Sequence, residues 1–177
     1  MNHRISKGFD IRLVGRAEAK VDPAPEPLLV AVSAREFPGI KPKLLVKEGD
    51  SVRTGDPLFF DKKDRDTMYL SPATGKVTKV LLGARRALQR IEITLGTGDE
   101  FAELAHVARE KLASTDREEL IKAIKQAGLW PLLRQRPIGR TAKSEKAPSA
   151  IYVNGMDTEP LAADPAFCVE GKRADLE

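Results

Sequence analysis

The sequence holds a single cysteine, Cys168, in 177 residues. No internal disulfide can form, and neither His3 nor His106 stands at metal-ligand spacing from it. Cys168 is expected as a small buried or half-buried side chain. Aromatic residues are scarce, at 5%, and none interleaves with the basic residues as a base-stacking platform would, so nucleic acid is not an expected partner. No apolar run approaches the roughly 20 residues that span a bilayer, which leaves only peripheral membrane contact. The opening MNHRISKGFDIRLVG has neither the apolar core nor the small-residue cleavage site of a secretory signal, and a cytoplasmic address is expected. What remains, 41% hydrophobic and 32% charged residues, suits one ordinary domain or two small ones.

Acid is missing from one long stretch. Between Asp66 and Glu92 there is no carboxylate, while Lys76, Lys79, Arg85, Arg86 and Arg90 fall there. A second basic stretch sets Arg134, Arg136, Arg140, Lys143 and Lys146 against Glu145 alone. Within a net charge of +4, such faces suit an acidic partner or anionic headgroups, and equally a plain solvated surface. The first stretch is the candidate docking surface.

Composition changes near residue 98. Before it, Leu44, Val46, Val52, Leu58 and Phe60 share one parity and would face one side of a continuous pleat. Gly49-Asp50, Thr54-Gly55-Asp56-Pro57 and the pair Pro72 and Gly75 supply the turns. Val77 and Val80 begin a further strand that Gly83 closes, and Ile91, Ile93 and Leu95 alternate along the next. A small, curled β-sandwich is predicted. The order V-x-x-G-D-x-V-x-x-G-x-x-L followed by P-x-x-G-x-V resembles the barrel-sandwich hybrid of biotinyl and lipoyl domains.

Such a carrier needs a lysine at the exposed tip of the hairpin before the P-x-x-G turn. Lys62 and Lys63 stand near that tip in FFDKKDRDTMYLSP, but Asp61, Asp64, Arg65 and Asp66 flank them, and no apolar surface is offered to a modifying ligase. A biotinyl or lipoyl carrier is the weaker alternative, and both lysines are expected to be unmodified. Ser71-Pro72-Ala73-Thr74 resembles the stretch on which some redox subunits carry a covalently linked flavin, but Pro72 breaks that pattern and a turn accounts for all four residues.

After residue 98 helical signals take over. Thr115 to Glu118 read as a capping box, Leu120, Ile121, Ile124 and Ala127 as one apolar face, and Gly128 as the residue after the C-cap, so a helix is predicted from about Asp116 to Ala127. Pro131 is placed to start another short helix and Pro137 to stop it. Trp130 is expected as a core anchor. TAKSEKAPS reads as a loop and Ala150 to Gly155 as a short buried strand, with a further element beginning at Val169. Strand, loop and helix suggest an α/β unit, yet one strand and two helices cannot cover a parallel sheet. The expectation is therefore the N-terminal piece of a longer protein.

KGFDIRLVGRAE, VKEGDSVRTGDPLFFDKKDRDTMYLSPATGKV, GLWPLLRQRP and AIYVNGMDTEPLAADP together resemble the A subunits of the sodium-translocating NADH:quinone reductases. The resemblance implies an α+β chain with an N-terminal segment over 1–28, a barrel-sandwich hybrid over 29–98 and the start of an α/β domain over 99–177. It also implies a peripheral, non-catalytic component on the cytoplasmic face of a bacterial inner membrane. The whole complex would oxidise NADH, reduce ubiquinone and export sodium, using flavins and an iron-sulfur centre, and the other subunits would be this chain's partners.

The second segment is also similar to the NADH- and FMN-binding subunit of respiratory complex I. There a glycine-rich loop after the first helix closes backbone amides around phosphate. Here Leu129-Trp130-Pro131-Leu132-Leu133-Arg134 occupies that place, and Pro131 has no amide to give. The later flavin-side motif is partly kept as Asn154, Asp157 and Glu159, with Met156 replacing an acid. No bound cofactor is expected. The alternative is a flavin- or NADH-binding domain, including a related subunit that continues into ferredoxin-like clusters, although this sequence has no C-x-x-C motif.

Overall fold

A computed structural model describes residues 13–15, 18–154, 159 and 161–171. The chain forms two compact units, one of Glu26–Ala147 and one of Met1–Pro25 together with Pro148–Glu177.

In the first unit the strands are β1 (Leu29–Ser33), β2 (Pro42–Leu44), β3 (Ser51–Val52), β4 (Pro57–Asp61), β5 (Asp64–Leu70), β6 (Gly75–Leu82) and β7 (Leu88–Leu95). They make a four-stranded sheet in the order β1-β7-β6-β3 and a three-stranded sheet β2-β4-β5, each antiparallel throughout. The inner faces meet on Leu58, Phe59, Val77, Ile91 and Ile93, all without solvent exposure. Ile91 and Ile93 alternate inward as predicted. Strand β4 departs from simple parity, because Phe59 is buried beside Leu58 while Phe60 is only half-buried. Register shifts flank Pro57/Phe59 and Phe60/Asp61, and such a bulge lets adjacent side chains face the same way. Gly75 is required by closeness rather than by its dihedrals: a Cβ there would lie 2.2 Å from the Thr94 carbonyl oxygen of β7.

Helix α1 (Arg117–Gln126) follows. Its cap is Asp116, whose carboxylate accepts from the Glu118 N–H at 2.9 Å. The expected capping residue, Thr115, instead donates its hydroxyl to the Lys111 carbonyl at 2.8 Å. A carboxylate next in line is the better acceptor for a first-turn amide, since it also opposes the positive end of the helix dipole. The far end closes as predicted. Gly128 takes φ +70°, its N–H reaches the Lys125 carbonyl, and the Leu129 N–H reaches the Ile124 carbonyl, both at 3.1 Å, which is a Schellman ending.

Beyond α1 the predicted short helix shrinks to one 3₁₀ turn, Trp130–Leu132. Leu133 turns extended and a hairpin begins, β8 (Arg134–Gln135) pairing with β9 (Arg140–Thr141). Pro137 therefore sits in a hairpin turn and does not end a helix. Trp130 is buried as expected, and residues 142–149 form no regular element.

In the second unit the expected strand is not formed. Ala150–Asn154 has no regular structure, with Ile151, Tyr152 and Val153 exposed by 74%, 92% and 92%. A strand needs neighbours for both its backbone groups and its side chains, and none pairs with it among the described residues. Val169 does not open an element but terminates α2 (Pro165–Cys168), which is capped by the Asp164 carboxylate. Cys168 is exposed, contrary to expectation. A four-residue helix has too little apolar surface around it to bury a thiol. Among the described residues no helix is long and apolar enough to cross a membrane.

Candidate functional site

The hairpin joining β4 to β5 is where a carrier would present its lysine. Its sequence folds tightly because Asp61 serves as a local acceptor, its Oδ1 receiving the Lys41 N–H at 2.9 Å and the Lys63 N–H at 3.1 Å. The Lys62 N–H reaches the Lys41 carbonyl at 2.8 Å, and the Lys63 ammonium donates to the Gly39 carbonyl at 2.5 Å. Lys62 and Lys63 are both exposed.

The other side of the hairpin is tied to α1. Lys125 extends to Asp64, Nζ to Oδ2 2.5 Å, and also donates to Ser144 Oγ at 2.9 Å. Thr67 donates to the same Asp64 oxygen at 3.0 Å. Lys125 is only 6% exposed, and its ammonium lies 5.7 Å from the Trp130 ring centre. Trp130 Nε1 in turn donates to the Ala142 carbonyl at 2.8 Å. Sequence reasoning missed Lys125. The available signal was its place four residues after Ile121, at the margin of the apolar stripe, where an aliphatic stem can be buried while its head finds a carboxylate.

Beneath the tip, the Tyr69 ring stacks on Phe59 at 4.5 Å and meets Phe37 edge-on at 4.7 Å. Burial pushes the Tyr69 phenol up to about 12, with Asp61 adding to the effect. Its hydroxyl has no hydrogen-bond partner among the described residues. The Arg134 guanidinium lies 5.8 Å from the Phe37 ring centre and donates to the Glu36 carbonyl at 3.4 Å.

The turn residues Gly49, Asp50 and Gly55 belong to a repeated device. In each turn an aspartate accepts from the N–H three residues before it: Asp50 from Lys47 at 2.9 Å and Asp56 from Arg53 at 2.7 Å. Arg53 also grips Asp56 through its side chain at 3.1 Å, and that hydrogen bond holds the Asp56 carboxyl below its ordinary value. Pro72 lies in the connection from β5 to β6, just before Gly75.

The basic residues of the first stretch are all exposed, along β6, β7 and the turn between them. Lys76 and the turn are separated by the length of β6, roughly 20 Å at the usual rise. In space the stretch is not free of acid. Arg90 pairs with Glu92 at 2.6 Å, Lys79 stands opposite Glu92 in the ladder, and Glu48 accepts the Val80 N–H at 2.8 Å. The least compensated part is the turn, where Arg85 and Arg86 both take positive φ, 55° and 57°.

Asn154 and Glu159 are exposed, and Asp157 lies outside the described residues. The phosphate-loop position holds the buried Trp130 and Pro131. No group of three or more His, Cys, Asp or Glu side chains is placed to hold a metal ion among the described residues.

Comparison with known proteins adds two kinds of finding. The family model described as the NqrA N-terminal barrel-sandwich hybrid domain matches residues 3–96, and that of the NqrA second alpha/beta domain matches residues 115–177. The A subunit of the Na(+)-translocating NADH-quinone reductase of Neisseria meningitidis serogroup B is 38% identical over 174 residues, covering 98% of this chain and 39% of the relative. The protein of the same name from Klebsiella pneumoniae is 37% identical over 174 residues, with the same coverage. That from Yersinia pseudotuberculosis serotype O:1b is 38% identical over 166 residues, covering 94% of this chain and 37% of the relative. The chain therefore spans about 39% of the length of the curated relatives it matches.

Proposed function

The chain belongs to the NqrA family, with that family's N-terminal barrel-sandwich hybrid domain and second alpha/beta domain, and from that premise we propose that it acts as a peripheral, non-redox subunit of a sodium-exporting NADH:quinone reductase. The relatives' name supplies the reaction class, NADH to quinone coupled to Na+ transport. In this reading the flavins and the iron-sulfur centre belong to other subunits, and this chain, on the cytoplasmic face of the membrane, serves assembly and the quinone end. Ubiquinone is the substrate of the complex, and Asn154, Asp157 and Glu159 are a remnant turn with no flavin role. The N-terminal segment is 1–28, the barrel 29–98, and the second domain starts at 99, although the compact unit built on the barrel continues to Ala147.

The observation that carries the non-carrier role is the pinned and charged hairpin tip. A swinging arm needs a lysine that projects freely and a tip that a ligase can approach. Lys63 donates to the Gly39 carbonyl and Asp64 is held by Lys125 of α1, so the hairpin is tied down on both sides, while Lys62 and Lys63 stay exposed among charged residues with no apolar surface for a ligase to read. The barrel is then a rigid body for docking, with Lys76, Lys79, Arg85, Arg86 and Arg90 facing the partner subunits.

Co-purification tests this. Tagged chain in its native host should come out of detergent extracts with integral-membrane subunits. Charge reversal at Arg85, Arg86 and Arg90 together should weaken that association at moderate salt, because single exposed pairs contribute only about 0.2–1 kcal/mol. Recovery of the chain free of membrane subunits, or flavin bound stoichiometrically by the purified chain, would contradict the proposal.

A further inference from the structure

We propose that the β8–β9 hairpin is a contact for anionic lipid headgroups, with Arg136 and Arg140 binding phosphate and Ile138 entering the apolar boundary. This deepens the peripheral placement proposed above and rests on it. The root of the hairpin is anchored: Arg134 lies over Phe37 and on the Glu36 carbonyl, Trp130 Nε1 holds the Ala142 carbonyl, and the Ala142 N–H reaches the Leu133 carbonyl at 2.8 Å. Its tip is open. Ile138 is 71% exposed between the exposed Arg136 and Arg140.

The same corner gathers cations from distant parts of the sequence. Arg134 seats the hairpin beside residues 36–37, and the short connection that follows them receives Lys63 at Gly39 and pairs with Lys62 at Lys41. Lys41 and Lys62 are exposed there, with the half-buried Asp61 on the Lys41 N–H and the exposed Glu36 beside Arg134. From Arg134 to Lys146 the chain itself carries Arg134, Arg136, Arg140, Lys143 and Lys146 against Glu145 alone.

Shape decides between a membrane and an acidic protein. A stable protein interface occupies about 800 Å² on each partner as a packed surface, whereas strands of two residues each present a point. A fluid headgroup layer closes around a point. There an aliphatic tip can sit at the acyl boundary while forked guanidiniums engage phosphate oxygens above it. Because the root is already fixed, little ordering is lost on contact.

Sedimentation of the purified 177-residue chain with vesicles tests the proposal. It should bind phosphatidylcholine vesicles that contain roughly a third phosphatidylglycerol, not phosphatidylcholine alone, and release as salt rises. Arg136→Glu with Arg140→Glu should weaken partition by about tenfold or more. Ile138→Ser should weaken it by roughly threefold while leaving the salt dependence unchanged. Arg109→Glu with Lys111→Glu, exposed and outside both basic stretches, should leave it unchanged, and Trp130 fluorescence reports that each variant is folded. No binding to the anionic vesicles at low salt, or wild-type binding by either hairpin variant, overturns the proposal. Wild-type binding by Ile138→Ser alone would leave a purely electrostatic headgroup contact and overturn the entry of Ile138 into the apolar boundary. Vesicle binding by a chain that does not co-purify with membrane subunits would retain this contact and reject its place in the complex.

Discussion

The barrel and the segment after Ala147 make opposite use of similar side chains. Leu58, Phe59, Ile91 and Ile93 lie fully inside, while Ile151, Tyr152 and Val153, an equally strand-prone run, stand almost bare. The difference is partnership. Strand β7 is paired on both edges, by β1 and β6, and covered on its inner face. Ile151 to Val153 has no pairing strand among the described residues. Apolar sequence therefore specifies burial only where neighbours exist to complete it.

That contrast sets the largest expected effect. Phe59→Ala should destabilise the protein by about 3–5 kcal/mol, since it empties a fully enclosed site and removes the Tyr69 stacking partner. Tyr152→Ala should change stability by no more than about 0.5 kcal/mol. Urea unfolding of both variants checks the pair, and equal costs would erase the distinction between the two regions.

The seal between α1 and the hairpin tip comes next. Lys125→Ala should cost about 2 kcal/mol, less than the loss of a fully buried ion pair because the Asp64 side chain is 33% exposed and water can reach it. The same variant should speed hydrogen exchange at Asp64 and Thr67 while leaving β7 protected.

A smaller, pH-dependent effect belongs to the turns. Asp56→Ala should cost about 1 kcal/mol at neutral pH. The Asp56 carboxyl is held below its unfolded value by the Arg53 hydrogen bond, so its contribution is present above about pH 4 and is lost as pH falls through the depressed folded value. The gap between wild type and variant should close in acid and stay constant on the neutral side. Denaturation midpoints across that range decide it.

The smallest effect has the opposite sign. Arg86→Gly should raise stability by about 0.5 kcal/mol, because glycine relieves the left-handed backbone at φ 57° at a modest entropic cost. If it stabilises the chain and also weakens assembly, the strained turn is kept for docking. A destabilised Arg86→Gly would show that no strain is stored there.

Much of the barrel was legible because its signals are local. Gly-Asp turns, the alternation through Ile91 and Ile93, and Gly128 after the helix each act within a few residues. Features set by distant partners were not. The bulge that buries Phe59 is fixed by its pairing with β5, the cap passed from Thr115 to Asp116 by a competition one residue wide, and the Lys125–Asp64 contact joins residues that no sequence window holds together. The charge of the acid-free stretch was legible only in part for the same reason, since Glu48 and Glu92 return carboxylates to it in space. Cys168 and the run from Ile151 to Val153 were expected to be buried on composition, which says nothing about whether a cover exists.

In the proposed reading the barrel keeps a carrier fold whose charged tip bears no modified lysine, and it serves docking. Mass spectrometry of the chain expressed in its native host, with peptide mapping across Lys62 and Lys63, tests that claim most directly. The expected result is an intact mass equal to that of the sequence and unmodified peptides at both lysines. A biotinyl or lipoyl increment on either lysine would show that a ligase reads this tip, and would contradict it.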